Sequence, residues 1–188
     1  MTLNRTIAAL AVVGAIAGPA LADDITDAMD QARKAYQAGD LAGAKRSLDV
    51  ASQLIGQKNA EAFATLLPNA LPGWKAEKVQ TTALGAVGFG ASTASRAYNN
   101  AKGDHVEVQI TGDSAMVMQI ATFLNNPAMA GAMGKLVRVG SQRAIQDGDG
   151  NVKMIVANKF LISVEGSADG ASKLAYAQAI DFAKLSKM

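Results

Sequence analysis

Hydrophobic and polar positions repeat with two different periods along this chain, and the change comes at "LPNALPGW", residues 67–74. Before it, Ala28, Ala32, Ala35 and Tyr36 recur at the spacing of one helix face. Gly39-Asp40 interrupts, and Leu41, Ala44, Leu48, Ala51 and Ile55 resume the spacing. The stretch is rich in Ala, Leu, Lys, Gln and Arg, all good helix formers. Glycine suits the end of one helix and aspartate the cap of the next, so an antiparallel helical hairpin is predicted. A third helix is predicted at Asn59–Leu67, stopped by Pro68.

From Trp74 onward the period is two. Strands are predicted at Trp74–Thr81, Thr93–Asn99, His105–Thr111, Leu136–Val139, Gln142–Gln146, Val152–Ala157 and Phe160–Glu165, beside turn clusters such as "NNAKGD", "DGDGN" and "GSADG". Helical spacing returns at Ser114–Leu124, Ala128–Met133 and Ser172–Leu185. "SRAYNNAKGDHVEVQI" and "QRAIQDGDGNVKMIV" share an Arg-Ala step, a turn and an alternating strand, which suggests two similar β-β-β-α units. The expected fold is α+β: residues 1–22 a leader, 23–67 a helical hairpin, and 68–188 an antiparallel sheet with packed helices, joined to the hairpin as one compact unit.

The first residues set the expected location. "MTLNRTIAALAVVGAIAGPALADD" has one early positive charge, Arg5, then an apolar run from Ile7 to Gly18, then Ala20-Leu21-Ala22. This is the pattern of a cleaved signal peptide, with cleavage after Ala22. The run is shorter than the ~20 residues of a membrane span. The exported chain is therefore expected in a bacterial periplasm and not as an integral membrane protein. It has no cysteine, so no disulfide framework is available. A net charge of +2 without basic clusters argues against nucleic acid.

Candidate chemistry is sparse. The single histidine, His105, lies between Asp104 and Glu107. Alternation in "HVEVQIT" places His105, Glu107, Gln109 and Thr111 on the polar face of a half-buried strand. One histidine and no cysteine do not complete a zinc site, and no Gly-x-Ser-x-Gly elbow presents a nucleophile. "DGDGN", 147–151, begins like a calcium loop but has Val152 where glycine is needed and Asn158 where glutamate is needed; a hairpin turn is the better reading. "GAVGFG", 85–90, lacks the Lys-Ser/Thr of a phosphate loop and reads as a mobile loop. No cofactor is called for. The methionines stand out: Met116, Met118, Met129 and Met133, with Phe123, crowd one short region. Methionines fill cores, form adaptable binding surfaces, or bind Cu(I). Met116 and Met118 point in different directions on a helix, which speaks against joint ligation.

Two resemblances follow from these residues. Ala32, Tyr36, Gly39-Asp40, Ala44, Leu48 and Ala51 resemble a single tetratricopeptide-like unit, although the proline that follows the second helix in that family is missing. "LPGW", "VEVQITGDSA", "NNPAMAGAMGKLVRVG" and "NKFLISVEGS" resemble a family of exported, periplasmic proteobacterial proteins of unknown function. That resemblance implies a shared fold and supplies no functional residues. The expected function is non-enzymatic binding of a small apolar ligand or a protein segment, with Met116, Met118, Phe123, Met129 and Met133 lining the surface. The alternatives are a hydrolase-type enzyme using His105 with a neighbouring carboxylate, and a methionine-based Cu(I) handler.

Overall fold

The computed structural model describes residues 20–83, 91–112, 114–124 and 126–188; the side chains of residues 20–23, 116, 123, 124, 127 and 128 fall outside that description. The expected leader segment 1–19 and the glycine-rich segment 84–90 also lie outside it. Helix α1 (Ala20–Gln37) and helix α2 (Leu41–Ala64) form the predicted hairpin. Gly39 takes a φ of +80° at the turn, and the Asp40 carboxylate accepts the Gly43 N–H at 2.8 Å, satisfying a donor that the helix start leaves free. Alanines 28, 32, 44 and 51 are buried along the pair.

The separate helix expected at Asn59–Leu67 does not exist, because α2 runs unbroken to Ala64. Gly56 does not end it. Gly56 is buried where α2 meets the sheet, and a Cβ there would sit 3.1 Å from the Ala83 Cβ. The glycine admits close approach rather than a stop.

The sheet is eight-stranded and antiparallel throughout: β1 (Trp74–Ala76), β2 (Gln80–Ala83), β3 (Ser92–Asn100), β4 (His105–Gly112), β5 (Lys135–Val139), β6 (Gln142–Gln146), β7 (Val152–Val156) and β8 (Phe160–Glu165). Its spatial order is β1-β3-β4-β8-β7-β6-β5, with β2 also on β3. The single strand expected at Trp74–Thr81 is therefore two, both lying along the outer edge of β3. Residues 77–80 are all exposed, so no buried face holds a continuous register there. Helices α3 (Ala115–Leu124) and α4 (Pro127–Met133) cross from β4 to β5. The helix expected at Ser172–Leu185 is also two, α5 (Gly170–Gln178) and α6 (Phe182–Leu185), because Asp181 caps a fresh start through Lys184 N–H. Both Ile180 and Leu185 thereby reach the core.

One sheet face makes that core. Val106, Val108 and Ile110 of β4 are fully buried, as are Ile162 and Val164 of β8. Phe63 of α2 meets Phe160 edge to face, with centroids 5.5 Å apart. Gly112 lies beneath them, where a Cβ would come within 2.7 Å of the Phe63 ring. Tyr98 donates its hydroxyl to Pro68 O at 2.6 Å, and Leu71 N–H donates to the Tyr176 hydroxyl at 3.2 Å. Trp74 packs edge to face on Tyr176. Two tyrosines thus pin the proline-rich boundary to the core.

The two sequence-similar hairpins close with one turn design. In the first, Asn100 Oδ1 accepts the N–H groups of Lys102 and Asp104, and Asn100 Nδ2 donates to Asp104 Oδ2. In the second, Asp147 Oδ1 accepts the N–H groups of Asp149 and Asn151, and Asn151 Nδ2 donates to Asp147 Oδ2. Gly103 and Gly150 take positive φ at the same place. "DGDGN" is a hairpin turn.

Burial pushes the Tyr98 hydroxyl up from 10.0 to about 12, against the pull of nearby Arg96, and burial raises Tyr176 as well. The folded chain then keeps protons that the unfolded chain releases. This stabilisation is full below about pH 10 and is lost as pH rises through about 12. Tyr98→Phe should lower stability by about 1 kcal/mol at neutral pH through the lost hydrogen bond. It should also make the fall above pH 10 shallower, as read from urea midpoints against pH.

Candidate functional site

The ladder of the second hairpin ends sooner than that of the first. β3 and β4 pair at eight successive positions, from Asn99↔His105 to Ser92↔Gly112. β6 and β7 pair at two, Gln146↔Val152 and Ile145↔Lys153. Beyond Ile145 no further ladder pair is made, and a cleft of about 500 Å³ lies beside these strand ends, within the usual range for ligand pockets.

Register shows which residues face it. Leu136 pairs with Ile145, and Ile145 with Lys153, so these three share the sheet face opposite the core. Arg143 and Ile155, each two residues along, share it too. Ala130 of α4 lines the same cleft, which places that helix over this face. The cleft thus has an apolar part, Ala130, Leu136, Ile145 and Ile155, and a cationic part, Arg143 and Lys153.

The charges are unevenly matched. Lys153 Nζ lies 3.0 Å from Glu165 Oε1. The Ser163 hydroxyl and Lys153 together hold the Glu165 carboxyl below its usual value. Arg138 and Arg143 sit directly opposite each other across β5 and β6. Like charges opposed in this way repel, and among the described residues neither arginine has an acidic partner within ion-pair distance.

The expected methionine surface is described in part. Met118, Met129 and Met133 are 66%, 44% and 51% exposed. Met116 and Phe123 lie on α3, but their side chains are outside the described ones. α3 is anchored by buried Val117 and Ala121. Met129 and Met133 belong to α4, the helix whose Ala130 lines the cleft.

His105 is exposed and stands apart from the cleft on β4. Its Nδ1 is 2.9 Å from Ser167 Oγ, and its backbone N–H donates to the same oxygen. The structure does not bring the neighbouring carboxylates to the ring. Asp104 accepts from Asn100, and no hydrogen bond joins Glu107 to His105 among the described residues. No group of three or more His, Cys, Asp or Glu is placed to hold a metal among the described residues.

Sequence reasoning missed three features: Ser167, the short β6–β7 ladder, and Lys173. Lys173 is 1% exposed on α5 and donates to Asp149 O and Asn151 Oδ1, both at 2.8 Å. It ties the turn below the cleft to α5. Its two acceptors come from a turn more than twenty residues away in sequence, which helical spacing does not register. Asp147, in that turn, is pulled upward by partial burial. Hydrogen bonds from Asn151 and from Asp149 N–H, with Lys153 nearby, outweigh this and hold it below its usual value.

No protein-family model, curated protein or solved structure matches this chain.

Replacing Lys173 with methionine keeps the length but strands two acceptors. Lys173→Met should cost about 1–3 kcal/mol in urea unfolding and should speed amide exchange at residues 147–151. An unchanged unfolding midpoint would show that the ammonium contributes nothing to the fold.

Proposed function

We propose that this protein is a non-enzymatic, exported binding protein that holds an apolar ligand or a partner segment in the cleft beside β6 and β7. The observation that carries the reading is the cleft itself: apolar side chains and cations gathered on the sheet face opposite the core, beside a helix that carries two exposed methionines. Exposed thioethers on such a helix form an adaptable rim. The apparent signal peptide supports a periplasmic setting, and the resemblance to exported proteobacterial proteins agrees with it. Among the described residues, no helix is long and apolar enough to cross a membrane.

Native mass spectrometry of protein purified gently from the periplasm of its source tests this directly. The polypeptide should begin at Asp23 and carry an additional mass that is lost on denaturation. Met129→Gln and Met133→Gln together should remove that mass while leaving the unfolding midpoint within about 0.5 kcal/mol. A bare polypeptide at every concentration would count against a carried ligand. A copper mass would favour thioether ligation instead.

One contact favours a second reading. A serine hydroxyl 2.9 Å from an imidazole nitrogen is the arrangement in which histidine can draw a proton from a nucleophile. On that reading Ser167 attacks an ester and His105 serves as base. Hydrolysis of p-nitrophenyl acetate should then fall by about 100-fold or more in either Ser167→Ala or His105→Ala. Equal rates in the parent and both variants would eliminate it.

A further inference from the structure

We propose that two copies of this chain pair through one face of the α1–α2 hairpin, the turn end of each over the open end of the other, to make a four-helix bundle. This surface is separate from the cleft, and three observations carry it.

The first is an apolar face left uncovered among the described residues. Met29 and Tyr36 of α1 and Leu41, Leu48 and Ile55 of α2 are all exposed, Tyr36 and Leu41 to 67%. Seven-residue spacing lines each group up along its helix. At 3.6 residues per turn, Met29 and Tyr36 lie on the advancing side of the buried Ala28 and Ala32. Leu41, Leu48 and Ile55 lie on the advancing side of the buried Ala44 and Ala51. Two antiparallel helices joined along such a seam bring their advancing sides to one face. The opposite face carries Asp27, Gln31, Lys34, Arg46 and Gln53, all exposed. The hairpin is therefore two-sided, and its apolar side is a contiguous patch of the kind that marks an interface. The sheet does not cover it. α1 packs chiefly on α2, and α2 meets the sheet through Gly56 and Phe63, both beyond Ile55.

The second observation is shape. Counted outward from Gly39, Tyr36 stands level with Leu41, Ala32 with Ala44, and Met29 with Leu48. Large and small pairs thus alternate along the face, about 5 Å apart. A reversed copy can seat its Met29 and Leu48 over Ala32 and Ala44 of the first, and receive the same in return. That is the interlocking of a four-helix bundle core. A face about 25 Å long and about 20 Å wide on each copy reaches the roughly 1,000 Å² of total burial that a specific dimer needs.

The third observation is charge, and it selects both the occupant and its direction. The outer side of α1 carries Arg33 and Asp30, 3.1 Å apart, and the outer side of α2 carries Lys45 and Asp49, 2.8 Å apart. The two cations are equally far from Gly39 along the chain, and the two carboxylates stand at nearly matched positions beyond them. A copy laid turn over turn would set α1 against α2, and so Arg33 against Lys45 and Asp30 against Asp49. A reversed copy sets each helix against its own equivalent, and so Arg33 against Asp30 and Lys45 against Asp49. Only the reversed copy matches opposite charges along both rims. The face is thus complementary to itself, as a two-fold interface requires.

Sedimentation equilibrium of the intact chain purified from its own source tests the pairing. At ~100 µM the mass should be twice that of the monomer, and dilution should return it to the monomer. Leu48→Glu and, separately, Leu41→Glu should each weaken the dimer about 100-fold or more. Both leucines are exposed, so each variant should keep the urea midpoint of the parent, and two variants guard against a folding defect in one. Lys45→Glu should weaken the dimer about tenfold at low salt by facing Asp49 of the other copy. A tighter dimer in Lys45→Glu would overturn the reversed arrangement. A dimer untouched by both leucine variants would overturn the choice of face. A monomer at every concentration would overturn the proposal, and a different polypeptide retained in the native mass and lost in Leu48→Glu would assign the face to that partner instead.

Discussion

β8 lies between β4 and β7, and the two hairpins of the sheet meet only through it. Its inward residues Ile162 and Val164 pair with Ile110 and Val108 on one side and with Met154 and Val152 on the other. All six are buried to 1% exposure or less. Removing the β8 contribution would split the sheet into a part made of β1 to β4 and a part made of β5 to β7. β4 and β8 are far apart in sequence, so their pairing carries a large closure cost before any burial offsets it. Phe63, Gly112 and Phe160 fix the same junction from above, since Phe160 opens β8, Gly112 ends β4, and Phe63 belongs to the hairpin. The helical hairpin, both sheet halves and the core thus depend on one strand insertion.

The shared turn design explains why the two hairpins nonetheless differ. Counted from the turn, Tyr98 and Val106 occupy the same positions as Ile145 and Lys153. The first pair faces the core and the second faces the opposite side. The hairpins are related by a half-turn about the direction of β8, which exchanges the faces of the sheet. A single core face can then be continuous only if the second hairpin buries the residues that the first would expose. Ala144 and Met154 do so. They hold β6 and β7 against the core, while Ile145 on the other face is covered beside α4. The cleft is therefore a consequence of packing, not a defect in the sheet.

How much of this was legible in the sequence depends on the range of the cause. The helical hairpin was legible because Gly39 and Asp40 act within four residues. Strands β3, β4, β7 and β8 were legible to within a residue or so because their buried positions all fall on alternate residues. The breaks were less legible. Residues 77–80 carry no inward side chain, so alternation had nothing to report. The separate helix expected at Asn59–Leu67 is a continuation of α2, whose Gly56 is a close contact with Ala83. Asp181 was hidden inside a helical pattern. At the candidate site, the methionines were visible as a cluster, and the exposure of Met118, Met129 and Met133 comes from packing. The opposition of Arg138 and Arg143, the reach of Lys173 and the meeting of Ser167 with His105 all depend on register or tertiary distance, which no local pattern records.

The two turns carry the same amide–carboxylate link with its ends exchanged: Asn100 to Asp104 in one, Asp147 to Asn151 in the other. This has a consequence for how such a chain can change over generations. One arrangement cannot become the other in a single substitution. The intermediate with two aspartates places two anions in contact and removes the amide donor. The intermediate with two asparagines keeps both a donor and an acceptor and introduces no repulsion. The mutational route between the two turns therefore runs through paired asparagines, and each end constrains which change at the other is tolerated.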